Sequence, residues 1–247
     1  MKTMLITGAS RGIGAATALL AARNGYAVAV NYHKNRPAAD DVVDRIIAQG
    51  GRAVAIQADV SRQDEIVRLF SELDRHFGKL DCLINNAGIL ENQKKFVDLD
   101  YERLQRMFST NVMGPFLCCK EAIKRMSTAY GGEGGTIVNV SSIASRTGAP
   151  FEYTDYAATK GALDTLTIGL SKELAEEHIR VNAVRPAFIH TDIHADGGEP
   201  DRIERIKNTI PLKRGGLADE VAEAILWLAS DKSSYSTGIF IDVTGGK

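Results

Sequence analysis

The chain of 247 residues carries 30 Lys and Arg against 31 Asp and Glu, a net charge of −1, with 44% apolar and 25% charged residues. This composition excludes a disordered, collagen-like or disulfide-scaffolded protein. The balanced charge supplies no bulk field to draw nucleic acid or an anionic membrane surface. A chain of this length can bury a sizeable core without metal or disulfide staples, and the expectation is one domain spanning 1–247.

Apolar runs of strand length alternate with stretches of helical period. Met4-Leu5-Ile6 reads as a buried strand and is followed by a helix over 12–23. The unit repeats as strand 27–31 with helix 38–49, then strand 53–57 with helix 63–76. A fourth strand, 80–85, leads to a long helix over 101–126, and a fifth, 136–141, to a helix over 154–177. After a sixth strand at 180–185 come a polar connection, a helix over 218–230 and a last strand at 238–243. Strands apolar on both faces, each followed by a helix, imply an α/β fold: one doubly wound parallel sheet with helices on both sides. The connection 187–212 contains Gly197-Gly198 and a short helical piece around 202–208, and reads as a lid.

Cys82, Cys118 and Cys119 are an odd set without metal-ligand spacing and read as reduced, mostly buried thiols. Met1-Lys2 runs straight into Thr3-Met4-Leu5-Ile6-Thr7, which is too short for a targeting segment. No stretch approaches the ~18 apolar residues of a membrane span, and the expected compartment is the cytoplasm.

The turn after the first strand, Thr7-Gly8-Ala9-Ser10-Arg11-Gly12-Ile13-Gly14, lets backbone approach a phosphate closely, with the N–H groups of the next helix pointing at it. The second strand ends Asn31-Tyr32-His33-Lys34 and lacks the carboxylate that would hold the ribose 2′-hydroxyl of NAD. Arg11 could reach the same corner, and Asn31 and Tyr32 can hydrogen-bond to phosphate, which favours NADP and leaves NAD possible. Tyr156 and Lys160, four apart at a helix start, share one face. An ammonium there favours the phenolate and suits the phenol to exchange a proton with a carbonyl or alcohol oxygen, while Ser142, after the fifth strand, could hold that oxygen.

With the Thr7-to-Gly14 turn, Asp59-Val60, Asn85-Asn86-Ala87-Gly88, Asn111, Ser142, Tyr156 and Lys160 in this order, the chain resembles a classical short-chain dehydrogenase/reductase along its whole length. It is similar to glucose-dehydrogenase-like and 3-oxoacyl-carrier-protein-reductase-like oxidoreductases. The resemblance implies a Rossmann-type sheet of seven strands, a nicotinamide cofactor, hydride transfer, and a homotetramer built through the helices at 101–126 and 154–177. Tyr156 then resembles the general acid/base and Lys160 the group that binds the nicotinamide ribose and lowers the tyrosine pKa. Ser142 resembles the substrate-oxygen donor, and Asn111 the residue whose backbone orders a water in a proton relay. For the cofactor, the resemblance and the turn together nominate Gly8, Ser10, Arg11, Gly12, Ile13 and Gly14 at the pyrophosphate. Asn31, Tyr32 and His33 are nominated after the second strand, Asp59 and Val60 at the adenine, and Asn86, Ala87 and Gly88 beside the ribose. Pro186, Ile189 and Thr191 should flank the nicotinamide. The family commonly has Pro-Gly after the sixth strand where this chain has Pro186-Ala187, tolerable if Ala187 keeps a negative φ.

His190, Asp192, His194 and Asp196 could suggest a metal, but they fall in the lid and the expected chemistry needs none. Tyr153 and Phe151 precede Tyr156 and are candidates to line the pocket. The polar lid suits a small polar carbonyl or alcohol, such as a sugar or ketone. The acidic run Glu173 to Glu177 and Glu133 argue against the alternative, an acidic acyl carrier protein. A non-catalytic dinucleotide-binding redox sensor would have no need of Tyr156 and Lys160.

Overall fold

The computed structural model describes residues 1–247. Its strands are β1 (Thr3–Ile6), β2 (Ala27–Tyr32), β3 (Arg52–Gln57), β4 (Cys82–Asn85), β5 (Gly135–Val140), β6 (Ile179–Pro186) and β7 (Phe240–Val243). They form one sheet in the order β3-β2-β1-β4-β5-β6-β7, and every pair is parallel. The expected doubly wound sheet of seven strands is therefore present. The pleat explains why these strands read as continuous apolar runs. Met4 and Ile6 face one layer and Leu5 the other, and all three are fully buried.

The first layer packs α1 (Gly12–Arg23), α2 (Arg36–Ala48) and α10 (Ala218–Ala229) over Met4, Val28, Ile84 and Val138. The second packs α3 (Gln63–Phe77) and α5 (Gly114–Met126) over Leu5, Leu83, Ile137 and Val181. Chain order runs outward from β1 to β3 and then returns to β4 beside β1. The crevice at the carboxyl ends of β1 and β4 is thus the switch point where such sheets bind ligands.

Two helices differ from the periodicity reading. The expected helix 101–126 is α4 (Tyr101–Phe108) and α5 joined by a π-helical turn, Ser109–Met113. Pro115 in the first turn of α5 has no N–H to give, and Gly114 presses against the backbone of Val60, where an added Cβ would sit 2.8 Å from the Val60 carbonyl oxygen. The helix expected to reach 177 is α7 (Thr154–Glu173), which stops four residues early. Between β6 and α10 lie two short helices, α8 (Ile193–Asp196) and α9 (Arg202–Ile206). The remaining short helix, α6 (Ala144–Thr147), follows β5. No helix is long and apolar enough to cross a membrane.

Candidate active site

A cleft of ≈ 940 Å³ opens at the carboxyl ends of the central strands. Its floor is the glycine turn. Gly8 and Gly12 hold φ of +62° and +56°, which L side chains rarely adopt. A Cβ on Gly8 would lie 2.9 Å from Cα of Ala87, and one on Gly14 would lie 2.5 Å from the Gly8 carbonyl oxygen. Thr7 Oγ1 accepts from the amides of Asn86 and Ala87, both at 3.0 Å, and the Asn86 side chain donates back to the carbonyls of Thr7 and Gly8 at 2.9 and 3.0 Å. The turn after β1 and the turn after β4 are therefore one rigid unit. No side chain caps the N-terminus of α1 and no acidic residue sits in its first turn, so its amides face the cleft ready for an anion.

Ser10, Arg11, Gly12 and Ile13 line this cleft. Gly14 does not; it lies behind the turn, where its missing side chain lets α1 pack closely. Asn31 borders the cleft, but its amide is committed. Its Oδ1 accepts from the Gly8 amide at 3.1 Å, and its Nδ2 donates to the carbonyls of Ile56 and Ala58. It clamps the turn and has no donor left for a phosphate. Tyr32, expected at the same corner, points to the other side of the sheet, because adjacent strand residues alternate faces. It lines a separate hollow with Arg36 and Gln57. His33 and Lys34 do reach the cleft, with His33 Nε2 3.5 Å from Asp59 Oδ2. Asp59 and Val60 line the cleft too. Burial opposes ionisation of Asp59, but hydrogen bonds from Ser61 and the positive charges of His33 and Arg62 outweigh it and hold the carboxyl below its usual pKa. Arg11, expected free to meet a 2′-phosphate, is ion-paired across the cleft mouth with Asp196 and Asp192.

The reactive end is built from β5 and α7. Ser142 follows β5; its Oγ accepts from the Ala144 amide at 3.1 Å and faces the Pro186 carbonyl at 3.4 Å. Tyr156 sits in the first turn of α7 and keeps some exposure to the cleft, although protein crowds its hydroxyl. Burial pushes this phenol up to about 12, against the pull of the Ser142 hydrogen bond and the Arg202 charge. Lys160, one turn further on, is buried and its Nζ donates to the Val140 carbonyl at 2.8 Å. Burial brings this amine down to about 8, opposed by Asp164. The expected acidification of the phenol by the ammonium is not what these residues produce. Nζ is held by a backbone carbonyl and lies 5.5 Å from the centroid of the Tyr156 ring, while desolvation dominates at the hydroxyl.

Asn111 sits in the π-helical turn, buried behind the cleft wall. Its side chain exchanges hydrogen bonds with Ile89, at 2.8 and 3.0 Å, and donates to Thr159 Oγ1 at 3.3 Å. A Cβ on Gly88 would lie 3.4 Å from Asn111 Oδ1 and 3.6 Å from Lys160 Nζ, so Gly88, Asn111 and Lys160 converge. The π turn at Ser109–Met113 shifts the helical hydrogen-bond register beside these three residues. Asn86, Ala87 and Gly88 border the cleft on this side, and Pro186, Ile189 and Thr191 on the other. Ala187 has no positive φ and donates its amide to the Val243 carbonyl at 3.1 Å, so the residue that replaces the family glycine fits.

The segment 187–212 is anchored by side chains that sequence reasoning underused. Tyr153 does not line the cleft; its hydroxyl donates to the Gly197 carbonyl at 3.1 Å. Phe151 is exposed at the surface with φ +66°. Arg202 lies over the Tyr153 ring at 4.6 Å and pairs with Glu152. His194 Nε2 is bonded to the Ile189 carbonyl at 3.0 Å, and Asp192 and Asp196 are taken by Arg11. No group of three His, Cys, Asp or Glu side chains is arranged to hold a metal.

Two buried networks were missed outright. Asp155, next to Tyr156, receives Arg103 from α4 at 2.6 and 3.3 Å, and Arg103 also donates to the Asn92 carbonyl at 2.5 Å. Asp164 accepts from Ser141 Oγ at 2.6 Å and from Arg185 at 2.9 Å. The second had a sequence signal, since Asp164 lies one helical turn beyond Lys160 on the same face. The first had none, because Arg103 and Asp155 are 52 residues apart.

A glycine-lined crevice at the switch point of a parallel sheet, ending in serine, tyrosine and lysine, defines a dinucleotide-dependent oxidoreductase site. Residues 8–247 match the family model described as enoyl-(acyl carrier protein) reductase, and the chain belongs to the short-chain dehydrogenase/reductase family. It is an NAD(P)-dependent enzyme of that family, so the sensor reading falls. Among its relatives is the uncharacterised oxidoreductase YgfF of Escherichia coli K12, 58% identical over the full length of both chains. An uncharacterised oxidoreductase of Methylorubrum extorquens is 39% identical over 99% of this chain and 97% of its own. A protein named 3-oxoacyl-(acyl-carrier-protein) reductase FabG, from Staphylococcus aureus, is likewise 39% identical over 99% and 97%.

Proposed function

We propose that this protein is an NADP(H)-dependent oxidoreductase acting on a small polar carbonyl or alcohol, with Tyr156 as its general acid/base. The observation that carries the reading is the meeting of Ser142, Tyr156 and Lys160 at the inner end of the glycine-lined cleft. The residues fit a dinucleotide. The positions of Gly8 and Gly14 would be filled by any Cβ, the α1 amides are uncapped, and Lys34 offers positive charge, with the His33 ring beside it, on the cleft wall after β2 where a 2′-phosphate would sit. When bound, the dinucleotide supplies or accepts the hydride at its nicotinamide ring.

The protein's own residues handle the oxygen and its proton. Ser142 Oγ and the Tyr156 hydroxyl are two donors on one side of the cleft, suited to hold a carbonyl oxygen and the negative charge that grows on it. A phenol pushed up to about 12 stays protonated through the physiological range and gives its proton in the reductive direction. Lys160 is an ammonium below about 8 and replaces the proton through the group it forms with Asn111 and Gly88. In the oxidative direction each transfer reverses. Segment 187–212 acts as the lid that excludes water from this chemistry, in a chain that works as one domain.

Exposed Phe108, Met113, Phe116 and Ile168 on α4, the π turn, α5 and α7 support a homotetramer built through those helices. The three buried, unpaired cysteines support a reducing, cytoplasmic setting. Polar and charged residues of the lid favour a small polar substrate, while the relatives carrying the 3-oxoacyl-carrier-protein reductase name support the second reading, reduction of a β-ketoacyl thioester. A steady-state screen of ketones, aldoses and β-ketoacyl thioesters against NADPH and NADH separates them. A kcat/KM for a thioester far above that for every aldose and small ketone would reject the first reading. A preference for NADH would reject the cofactor assignment.

A further inference from the structure

Arg11 is placed to take part in two contacts that exclude each other. It lies at the start of α1 and lines the same cofactor cleft as His33 and Lys34. Its guanidinium, however, faces the opposite wall. Nη2 pairs with Asp196 and Nη1 lies 3.5 Å from Asp192. Asp192 stands just before α8 and Asp196 ends it, one helical turn apart, so both carboxylates meet one cation from the same face. Neither has another basic partner. The two walls are close here as well, since a Cβ on Gly12 would lie 3.2 Å from Thr191 Cγ2.

We propose that Asp192 and Asp196 set the cofactor preference: by holding Arg11 they withhold its guanidinium from an adenosine 2′-phosphate, so that NADP(H) must break a lid contact that NAD(H) leaves in place. The chemistry forces the competition. A guanidinium grips a phosphate by presenting two N–H groups in a fork; here Nη2 donates to Asp196 and Nη1 faces Asp192 at 3.5 Å, so turning that fork onto a phosphate gives up both lid contacts. A 2′-phosphate on Arg11 would also stand beside two carboxylates, which repel it unless the lid withdraws. The Arg11, Asp192 and Asp196 side chains are 54%, 64% and 44% exposed, so the latch is solvent-screened and displaceable. It tunes affinity by a modest factor and does not block it. The two carboxylates are therefore specificity-determining residues that never touch the reacting atoms, and lid position becomes linked to which dinucleotide is bound.

The inference rests on the cofactor reading above, and one experiment separates their failures. Dissociation constants for NADPH and NADH are measured by nucleotide fluorescence for the wild type, the double variant Asp192→Asn/Asp196→Asn, Arg11→Ala and the triple combination. The expected result is NADPH binding about three- to tenfold tighter in the double variant, with NADH changed less than about twofold. In the Arg11→Ala background the same two substitutions should do nothing to the NADPH to NADH ratio. An unchanged NADPH affinity in the double variant overturns the proposal. So does equal tightening of both dinucleotides, or the same selective gain without Arg11, since either would make the aspartates a general repulsive field. If the wild type binds neither dinucleotide, or binds NADH in preference to NADPH, the cofactor reading itself fails.

Discussion

Lys160 stores a measurable free energy in the fold. Its amine is buried, donates to the Val140 carbonyl, and has its pKa brought from 10.5 down to about 8. A depressed lysine pKa means that the unfolded chain binds the proton more tightly than the folded one. Stability must therefore rise with pH between about 8 and 10.5, and the full penalty is present below 8, where both states carry the charge. At about 1.4 kcal/mol per unit, a shift of this size corresponds to about 3 kcal/mol. Replacing Lys160 with Met removes the penalty and also leaves the Val140 carbonyl unpaired, which costs about 1–3 kcal/mol. The net change at pH 7 is thus small or stabilising, by up to about 2 kcal/mol. The assay is urea unfolding of wild type and Lys160→Met at fixed protein concentration, from pH 7 to pH 10, read as the difference between the two. Other titrating groups cancel in that difference. The wild type should gain on the variant steadily above pH 8. Parallel profiles would refute the argument that burial keeps this ammonium at a cost.

Other perturbations test other parts of the site. The reductive kcat/KM should fall as pH rises through about 8, as the Lys160 ammonium is lost; a pH–rate profile flat to pH 9.5 contradicts that. Gly14→Ala puts a Cβ 2.6 Å from Asn86 Nδ2, inside the clamp that joins the two turns, and should weaken dinucleotide binding by at least about tenfold, measured by fluorescence titration. Arg103→Met leaves Asp155 buried and unpaired beside Tyr156, and should cost about 3–5 kcal/mol in chemical unfolding. Much of that should return in Arg103→Met/Asp155→Asn, and a fully additive loss would show that the pair is not coupled.

The sheet could be read from the chain because each central strand is apolar on both faces and each is followed by a helical period. Met4-Leu5-Ile6 and Val28-Ala29-Val30 leave no other fold class. The glycine turn was legible through Gly8, Gly12 and Gly14, which the fold needs for positive φ at the first two and for close packing at the third. The break at Ser109–Met113 was hidden, because nothing in the amphipathic pattern reports a change of hydrogen-bond register. Asn31 and Tyr32 were both nominated for phosphate. Pleat alternation can send only one of two neighbours toward the cleft, and the amide that goes there is consumed in holding Gly8. Charge pairs between distant segments, Arg103 with Asp155 and Arg11 with the lid, follow from packing geometry, which residue spacing does not carry.

The central claim is that the Tyr156 hydroxyl passes the proton while the nicotinamide exchanges the hydride. Its most direct test is single-turnover oxidation of enzyme-bound NADPH by the best carbonyl substrate from the screen, in wild type and Tyr156→Phe, beside the NADPH dissociation constant of each. The account predicts a fall of about 10²-fold or more in the rate with the dissociation constant unchanged within about twofold. A phenylalanine variant that turns over at close to the wild-type rate would contradict it.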